Sequence, residues 1–337
     1  MPQPLVSVGL VTWNSSSHLP ICLAALTRQQ CQEFELIAVD NASVDGSAEL
    51  VAQQFPAARI ISNQTNTGFS YAHNQAISVS RGLYYLALNP DVFLQPDFLS
   101  RMVAAIQLED RIGQVSGKLY RISDASEIGR STILDSSGMF FTSNQRHFDR
   151  GAGETDSAAY AEVEYVFGVS GAAALYRKSA LQDAAFEDEC FDNAFFAYRE
   201  DADLSWRLQL LGWQALYAPD ARAYHLRALR NDAQRADIPA AVNMHSVKNR
   251  FLMRIKNQTW RNSLRFFLPV LWRDLMVVTY VLLFERSSLP AFGLVLKYLP
   301  EMRRKRRVIM SKRRVADSYI AGWFHRKAMP FHPGGSA

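Results

Sequence analysis

Apolar and polar positions follow one repeating order over the first hundred residues. LVSVGLV, residues 5–11, is a short apolar run rich in β-branched side chains, and LPICLAALTRQ behind it has helical spacing. FELIAVD ends a second run at Asp40, DNASVDGS is a cluster of turn residues, and AELVAQQF is again amphipathic. ARIISN, a helical stretch over YAHNQAISVS and the apolar GLYYLALNPD repeat the pattern. Strand and helix in alternation require crossover connections, so the expectation is an α/β fold with a mainly parallel, Rossmann-like central sheet flanked by helices. Ligands of such sheets sit beyond the carboxyl ends of the strands. Those ends carry Thr12 and Asn14, Asp40 and Asn41, and Asn89 and Asp91.

Residues 97–107 read as a further helix. In 115–165, VSGKLYR and MFFT suggest strands, whereas the Gly/Asp/Ser-rich stretch 123–159 suggests a long mobile loop system. VFGVSGAAALYRKSAL reads as strand, small-residue bend and short helix, and WQALYAPDARAYHLR as a strand ending near His225. Between them, FFAYREDADLSWRLQLLGW crowds Glu200, Asp201 and Asp203 at the mouth of a helix whose Leu204, Leu208 and Leu211 recur at helical spacing. A helix start favours acidic residues, but one is enough for a cap. Three carboxylates beside aromatic residues repel one another and lose hydration, which raises their pKa values and suits a general base or a metal site. The residues alone leave capping and catalysis equally open.

From residue 245 the pattern changes. SVKNRFLMRIKN and SLRFFLPVLWRDLMVVTYVLLF have mixed basic and apolar helical faces, and no uncharged run in this part exceeds the ten residues of Leu275 to Phe284. About 20 are needed to span a bilayer, so no spanning helix is expected. Residues 1–240 hold 18 Lys and Arg against 28 Asp and Glu, and residues 241–337 hold 19 against 4. The overall charge of +5 therefore hides an acidic and a strongly basic part. Arg303 to Arg307 and Lys312 to Arg314, beside LPAFGLVLKYLP, fit a helix lying on an anionic lipid surface; a solvated basic tail is the other reading. No nucleic-acid-binding motif accompanies the charge, so nucleic acid is not an expected partner. The division expected is a catalytic domain over 1–240 and a basic amphipathic helical membrane-associating region over 241–337.

Composition adds little. With 337 residues, 48% hydrophobic and 20% charged, the chain is globular rather than disordered. Cys22, Cys31 and Cys190 have no metal-ligand spacing and read as reduced thiols in a cytosolic protein. The opening MPQPLVSVGLVTWN lacks the features of a secretory signal, so a cytoplasmic location is expected.

The candidate chemistry is carried by residue types. Asp40, at the close of a buried strand, can accept a hydrogen bond from a pyrimidine imide N–H, with Thr12 and Asn14 nearby; Asp40 and Asn41 also suit a turn. Gly68, in NQTNTGFSYAHNQAI with Asn66 and Asn74, permits close backbone approach, and the helix start behind it offers N–H groups to a phosphate. Asp91 can hold Mg²⁺ or Mn²⁺ against a diphosphate, and His225 can complete such a site.

In order along the chain, VSVGLVTWNSSSHLPICLAAL, VDNASVDGS, NTGFSYAHNQAI, LALNPDV, VSGAAALYRKSAL, FFAYREDADLSWRLQLLGW and YAPDARAYH resemble the motifs of the family 2 inverting glycosyltransferases, in the rhamnosyltransferase-like branch. The resemblance spans roughly residues 5–228 and implies the nucleotide-sugar-binding fold called GT-A. It also implies roles. Asp40 would contact the nucleobase, with Thr12, Asn14 and Asn41 nearby. Asp91 would be the metal-binding carboxylate of the family's Asp-x-Asp element, whose first position is here Asn89. Asp201 would be the general base, with Glu200 and Asp203 tuning it or meeting the acceptor, His225 a further metal ligand, and Arg207 a contact to the diphosphate. The implied donor is a dTDP- or UDP-linked sugar, dTDP-L-rhamnose above all. The implied acceptor is a saccharide or lipid-linked saccharide met on the inner face of the plasma membrane. A sugar-phosphate nucleotidyltransferase would want a Gly-rich basic loop after the first strand, where VTWNSSSHL has neither glycine nor a basic residue. A dinucleotide oxidoreductase would want G-x-G-x-x-G there. A non-catalytic scaffold of the same fold has only Asn89 in its favour.

Overall fold

The computed structural model of the protein describes residues 3–227 and 239–332. Its first part alternates as expected: β1 (Val6–Thr12), α1 (Leu19–Thr27), β2 (Phe34–Asp40), α2 (Ser47–Gln54), β3 (Arg59–Ser62), α3 (Gly68–Val79) and β4 (Tyr84–Leu88). These strands pair in parallel in the order β3-β2-β1-β4, with Thr12 opposite Asp40 and Leu10 opposite Leu88. Both faces of the sheet are covered. Leu86 and Leu88 join one core cluster, and Tyr85 and Ala87 join the cluster on the other side. A strand buried on both faces reads as an unbroken apolar run, which is why these strands stand out in the sequence.

After β5 (Val92–Leu94) and α4 (Phe98–Ile106) come β6 (Ile112–Ile122), β7 (Leu134–Ser136), the hairpin β8 (Met139–Phe141) and β9 (His147–Asp149), and β10 (Glu164–Val166). The stretch 123–159 is thus not one long loop: β7 pairs with β6, and Phe140 lies opposite Phe148 in the hairpin. Next follow β11 (Ala173–Arg177), α5 (Lys178–Ala184), α6 (Glu200–Leu210) and β12 (Gln214–Leu226). β11 runs antiparallel between β4 and β6, and β12 lies parallel to β6. A register shift between Ala218 and Arg222 bends β12, and its far end then pairs with β5, His225 opposite Val92. That bend brings His225 to the end of β4. The three cysteines are free thiols.

The C-terminal helices are α7 (Ala240–Asn257), α8 (Trp260–Arg265), α9 (Phe267–Leu283), α10 (Pro290–Lys312) and α11 (Asp317–Trp323), followed by β13 (Met329–Pro330). They do not form an extension set apart from the sheet. β13 pairs with β10, and Trp323 and Phe324 enter the same core as Phe141, Phe167 and Trp206. Lys256 of α7 is fully buried between Asp192 and Asp203. Lys305 of α10 bonds Asp192, Glu189 and Glu301, each at 2.7 Å. Among the described residues Lys256, Arg304, Lys305 and Arg314 of this region are therefore paired with carboxylates of the acidic part. Large apolar side chains stay outside along α8 and α9 above all: Trp260, Leu268, Trp272 and, just past α9, Phe284 are each more than two-thirds exposed, as is Leu296 of α10, and Val281 is the buried residue of α9. Among the described residues no single helix is long and apolar enough to cross a membrane; α9 and the segment Arg286–Lys312, bent by 112°, reach that length and hydropathy only together.

Candidate active site

Beyond the carboxyl ends of β2, β1 and β4 the expected polar residues lie side by side. Thr12 donates to Asp40 Oδ1 at 2.9 Å, and Ser43 N–H donates to Asp40 Oδ2 at 3.0 Å. Asn14, in the left-handed region at φ 50°, accepts from Val44 N–H at 2.9 Å. These bonds hold the turn after β2 and present the Asp40 carboxylate at its base. Asn41 turns the other way: its Oδ1 accepts from Asn63 and Thr67, and its Nδ2 donates to Gly68 O, so it ties the strand end to α3 rather than facing a ligand.

A cavity of about 410 Å³ opens at the end of β4. Asn89, Glu200, Asp201 and His225 line it, together with Asp149, Tyr198 and Arg227. Asp201 is partly open to it and anchored by backbone. Gly171 N–H donates to its Oδ2 at 2.9 Å and Ala202 N–H to its Oδ1 at 2.7 Å. A Cβ on Gly171 would stand 3.2 Å from Phe69 and 3.4 Å from Asp201 Cβ, so the glycine permits this approach. Burial raises the Asp201 pKa, and the two N–H donors oppose the rise without cancelling it. Glu200 is buried, its Oε2 has no partner, and burial with repulsion from Asp201 and Asp203 drives its pKa well above the carboxylate range. The two interact too strongly for both to ionise readily. Backbone donors favour the charged form of Asp201, whereas burial and two neighbouring carboxylates make Glu200 the harder of the pair to ionise.

The loop before α6 sets this geometry. Phe196, Tyr198 and Arg199 all have positive φ, at 61°, 69° and 70°, a conformation that costs side-chain-bearing residues about 1–3 kcal/mol each. Asn249 of α7, fully buried, holds the loop: its Nδ2 lies 2.9 Å from Phe195 O, 2.9 Å from Ala197 O and 2.6 Å from Tyr198 O. Arg199 reaches back to Ser246 O at 3.1 Å and to His147 Nδ1 at 3.1 Å. Of the aromatic residues ahead of the acidic cluster, Tyr198 is exposed and lines the cavity, Phe195 is in the core, and Phe196 stacks on His245.

At the other end of the cavity His225 Nε2 stands 3.4 Å from Asp91 Oδ1, a buried atom with no hydrogen-bond partner. That separation is long for a hydrogen bond and suits two ligands of one small cation. Behind it, His225 Nδ1 lies 2.8 Å from Asp135 Oδ2, and Arg227 clasps both Asp135 oxygens at 2.8 and 2.9 Å. A carboxylate behind a histidine fixes the ring and leaves Nε2 toward the metal side. Burial alone would lower the His225 pKa; the hydrogen bond to Asp135 and the nearby Asp91 carboxylate outweigh it and raise it. The residues present thus fit a divalent cation. A second cluster of carboxylates, Glu189, Asp192 and Glu301, does not, because the Lys305 ammonium already bonds all three.

Other expected contacts are corrected. Arg207 donates to Asp203 at 3.1 Å, Ala184 O at 2.5 Å and Cys190 O at 2.6 Å, and being completely buried it is out of reach of a diphosphate. Asp203 faces Arg207, Lys256 and Asn257 inside the protein, so it acts on Glu200 only through its charge and meets no acceptor. Asn74 clamps Cys190, Phe191 and Asn193. Gly68 is left-handed, φ +80°, and a Cβ there would lie 2.5 Å from Phe196 O. The Phe196 carbonyl also takes the Ser70 N–H at 3.1 Å, so the start of α3 serves the loop rather than a phosphate. Asp135, Asp149 and Arg227 are the functional-site residues that sequence reasoning missed.

Residues 7–184 match the family described as glycosyl transferase family 2, more than half of the chain. The chain belongs to that family. Over 290 residues, 78% of this chain and 89% of the relative, it is 27% identical to the N-acetylglucosaminyl-diphospho-decaprenol L-rhamnosyltransferase of Mycobacterium tuberculosis. It is 29% identical over 199 residues, 57% of this chain and 72% of the relative, to a PGL/p-HBAD biosynthesis glycosyltransferase of Mycobacterium bovis. Among solved structures, S. aureus TarS in complex with UDP-GlcNAc superposes with a TM-score of 0.55 at 16% identity, over 95% of this chain and 93% of that one. GalNAc-T7 with UDP, GalNAc and Mn²⁺ superposes with 0.59 at 12% identity, over 76% and 48%. The fold of this family 2 glycosyltransferase is GT-A.

Proposed function

We propose that this family 2 enzyme is an inverting glycosyltransferase that moves L-rhamnose from dTDP-L-rhamnose to a lipid-linked saccharide in the assembly of a cell-surface polysaccharide. The observation that carries the reaction is Asp201, a carboxylate of raised pKa held by two backbone N–H groups at the wall of the cavity shared by Asn89 and His225. The sugar and the acceptor rest on similarity to the mycobacterial rhamnosyltransferase.

Asp40 accepts the imide N–H of the donor's thymine, with Thr12 steadying its carboxylate; a uracil presents the same edge. Asn89, at the end of β4, faces the sugar and diphosphate in the cavity. Asp91 and His225 would hold Mg²⁺ or Mn²⁺, which when bound neutralises charge on the departing diphosphate. Asp201 takes the proton of the acceptor hydroxyl as its oxygen attacks the anomeric carbon from the face opposite the nucleotide. One base suffices, because no covalent sugar intermediate forms. Glu200, protonated, lowers the negative charge beside Asp201 and can donate to the incoming saccharide. The exposed apolar faces of α8 and α9 support a peripheral position on the inner face of the plasma membrane, where an acceptor with a lipid tail is met.

The test is a screen of nucleotide sugars for nucleoside diphosphate release, with Mn²⁺ and a prenyl-diphosphate-linked acceptor. dTDP-L-rhamnose should be the best donor, and Asp201→Asn should lose about 10²–10⁴-fold in rate while still binding dTDP. Equal rates for the native chain and Asp201→Asn would refute the base assignment, and sedimentation of the protein with anionic vesicles that survives Leu268→Asp together with Trp272→Asp would refute the membrane position.

A further inference from the structure

Next to the catalytic cavity lies a second one of about 360 Å³. Arg199 and Ser246 line both, so the two adjoin at the loop that leads into α6. Arg146, Arg250 and Arg273 supply further charge to the second cavity. Its apolar lining comes mostly from α9, which also carries Arg273: Met276, Val277, Tyr280 and Val281, with Val247 of α7.

Among the described residues Arg250, Arg254 and Arg273 gather around one carboxylate, Asp274. Arg250 is buried and reaches Asp274 Oδ1 at 3.2 Å, but Asp274 is shared with Arg254. The Nε of Arg273 is buried without a hydrogen-bond partner. Burial and repulsion from Arg254 and Arg273 push the Arg250 guanidinium down to about 10 in spite of Asp274. Buried cations that outnumber their carboxylates are costly, and a polyvalent anion relieves them. Guanidinium forks match phosphate oxygens in shape as well as charge.

The apolar wall continues out of the cavity. The same helix that contributes Val277 and Val281 exposes Leu268, Trp272 and Leu275 to the outside. A ligand that fills this arrangement has hydrocarbon at one end, phosphate in the middle and a hydroxyl-bearing group at the other end, by Asp201. We propose that the arginine-lined cavity is the acceptor subsite, holding the diphosphate of a lipid-linked saccharide whose lipid runs along α9 and whose sugar passes Arg199 into the catalytic cavity. This rests on the transferase reading above and adds to it where the acceptor's anionic part sits. The donor's diphosphate belongs elsewhere, at Asp91 and His225, so the two diphosphates meet separate groups of residues.

The subsite is tested by binding, without turnover. Farnesyl diphosphate, farnesol and inorganic pyrophosphate are titrated into the full chain by calorimetry in EDTA, which keeps a cation from drawing diphosphate to Asp91 and His225. Farnesyl diphosphate should bind tighter than either fragment. Arg273→Gln and Arg146→Gln, on separate elements, should each weaken it by about tenfold, the effect of losing one charged hydrogen bond, while Arg307→Gln on the exposed side of α10 should not. Thermal melts identify a variant that has lost its fold, and the other then decides. Equal affinity for farnesyl diphosphate and pyrophosphate, indifference to both arginines, or equal displacement by phosphatidylglycerol would overturn the proposal. If binding behaves as expected but no nucleotide sugar is turned over, the transferase reading fails and the phosphate-lipid site stands; if turnover occurs and binding ignores both arginines, the subsite alone fails.

Discussion

Removing the Asn249 side chain tests how the catalytic loop is held. In Asn249→Ala the carbonyls of Phe195, Ala197 and Tyr198 lose a donor that stands 2.6–2.9 Å away. One amide has two hydrogens, so about two hydrogen bonds are lost, on the order of 1–3 kcal/mol of net stability. For a chain of this size that lowers Tm by roughly 1–4 °C. The larger effect is on activity. Phe196, Tyr198 and Arg199 keep their positive φ because the surroundings over-determine it, and once the clamp is gone the loop can relax by a few kcal/mol of strain. Asp201 follows the loop and leaves the Gly171 N–H. A displacement of about 1 Å at a reacting group costs on the order of 10²-fold in rate. The proposed nucleobase contacts at Thr12 and Asp40 lie on the strand ends, away from α7, so dTDP affinity should stay within about twofold, well inside the 1.4 kcal/mol of a tenfold change. The assay pairs kcat for nucleoside diphosphate release with dTDP binding by calorimetry and a thermal melt. A variant that melts lower yet keeps its kcat would show that Asn249 stabilises the fold without positioning the base.

Lys256→Met leaves Asp192 and Asp203 facing each other in the interior with one cation removed, and should destabilise by about 3–5 kcal/mol in urea titrations; a loss below 1 kcal/mol would mean that Lys305 and Arg207 carry the site alone. Asp201 has a raised pKa and works ionised, so kcat/KM should fall as the pH drops through a value above the usual carboxylate range, and a profile flat down to pH 4 would contradict it. Asp149, half-buried with its pKa raised to about 6 by burial and Asp135, is harder to ionise folded than unfolded. Its destabilisation is absent below about pH 4, grows through pH 6 and is complete above it, so Asp149→Asn should gain about 1–2 kcal/mol at pH 7.5 after allowance for its exposure, and nothing at pH 4. His225→Ala should raise the Mn²⁺ concentration for half-maximal rate by about tenfold or more, and an unchanged requirement would place the cation elsewhere.

How much of this could be read in the chain depends on the length over which a pattern is written. The parallel strands announce themselves through runs such as YYLAL, buried on both faces, and the helices between them through their spacing. Asp40, Asn89, Asp91, Asp201 and His225 stand at the ends of those elements, where a reader looks. Asp135 and Asp149 sit on strands of three residues, too short to show any period, in a polar stretch that resembles loop. The usable signal was the pair MFF and HFD around a turn at Gln145, which has positive φ. Arg207 and Asp203 misled for the opposite reason: residue type suggested a ligand contact, and only the fold shows that they bond each other in the core.

The basic C-terminal part of the chain shows the same limit in its charge. A sum over the sequence treats its 19 Lys and Arg as one field, yet Lys256 and Lys305 are buried against Asp192, and Arg314 pairs with Asp183. These charges bind the C-terminal helices to the catalytic part, and the two buried lysines are unavailable to any lipid. The visible clue lay in α7, where Asn249 and Lys256 share a helical stripe with the buried Leu252 and Met253. A charged residue on the apolar face of a surface helix has no solvent to meet and must find a partner, so a lysine there points inward to a carboxylate. By the same argument the exposed apolar side chains of α8 and α9, rather than net charge, should dominate membrane binding. Raising salt from 0.1 to 1 M shortens the Debye length from about 10 to about 3 Å and weakens surface attraction. Vesicle binding should therefore survive high salt in large part and disappear with Leu268→Asp and Trp272→Asp, and binding abolished by salt alone would return the membrane contact to the basic cluster.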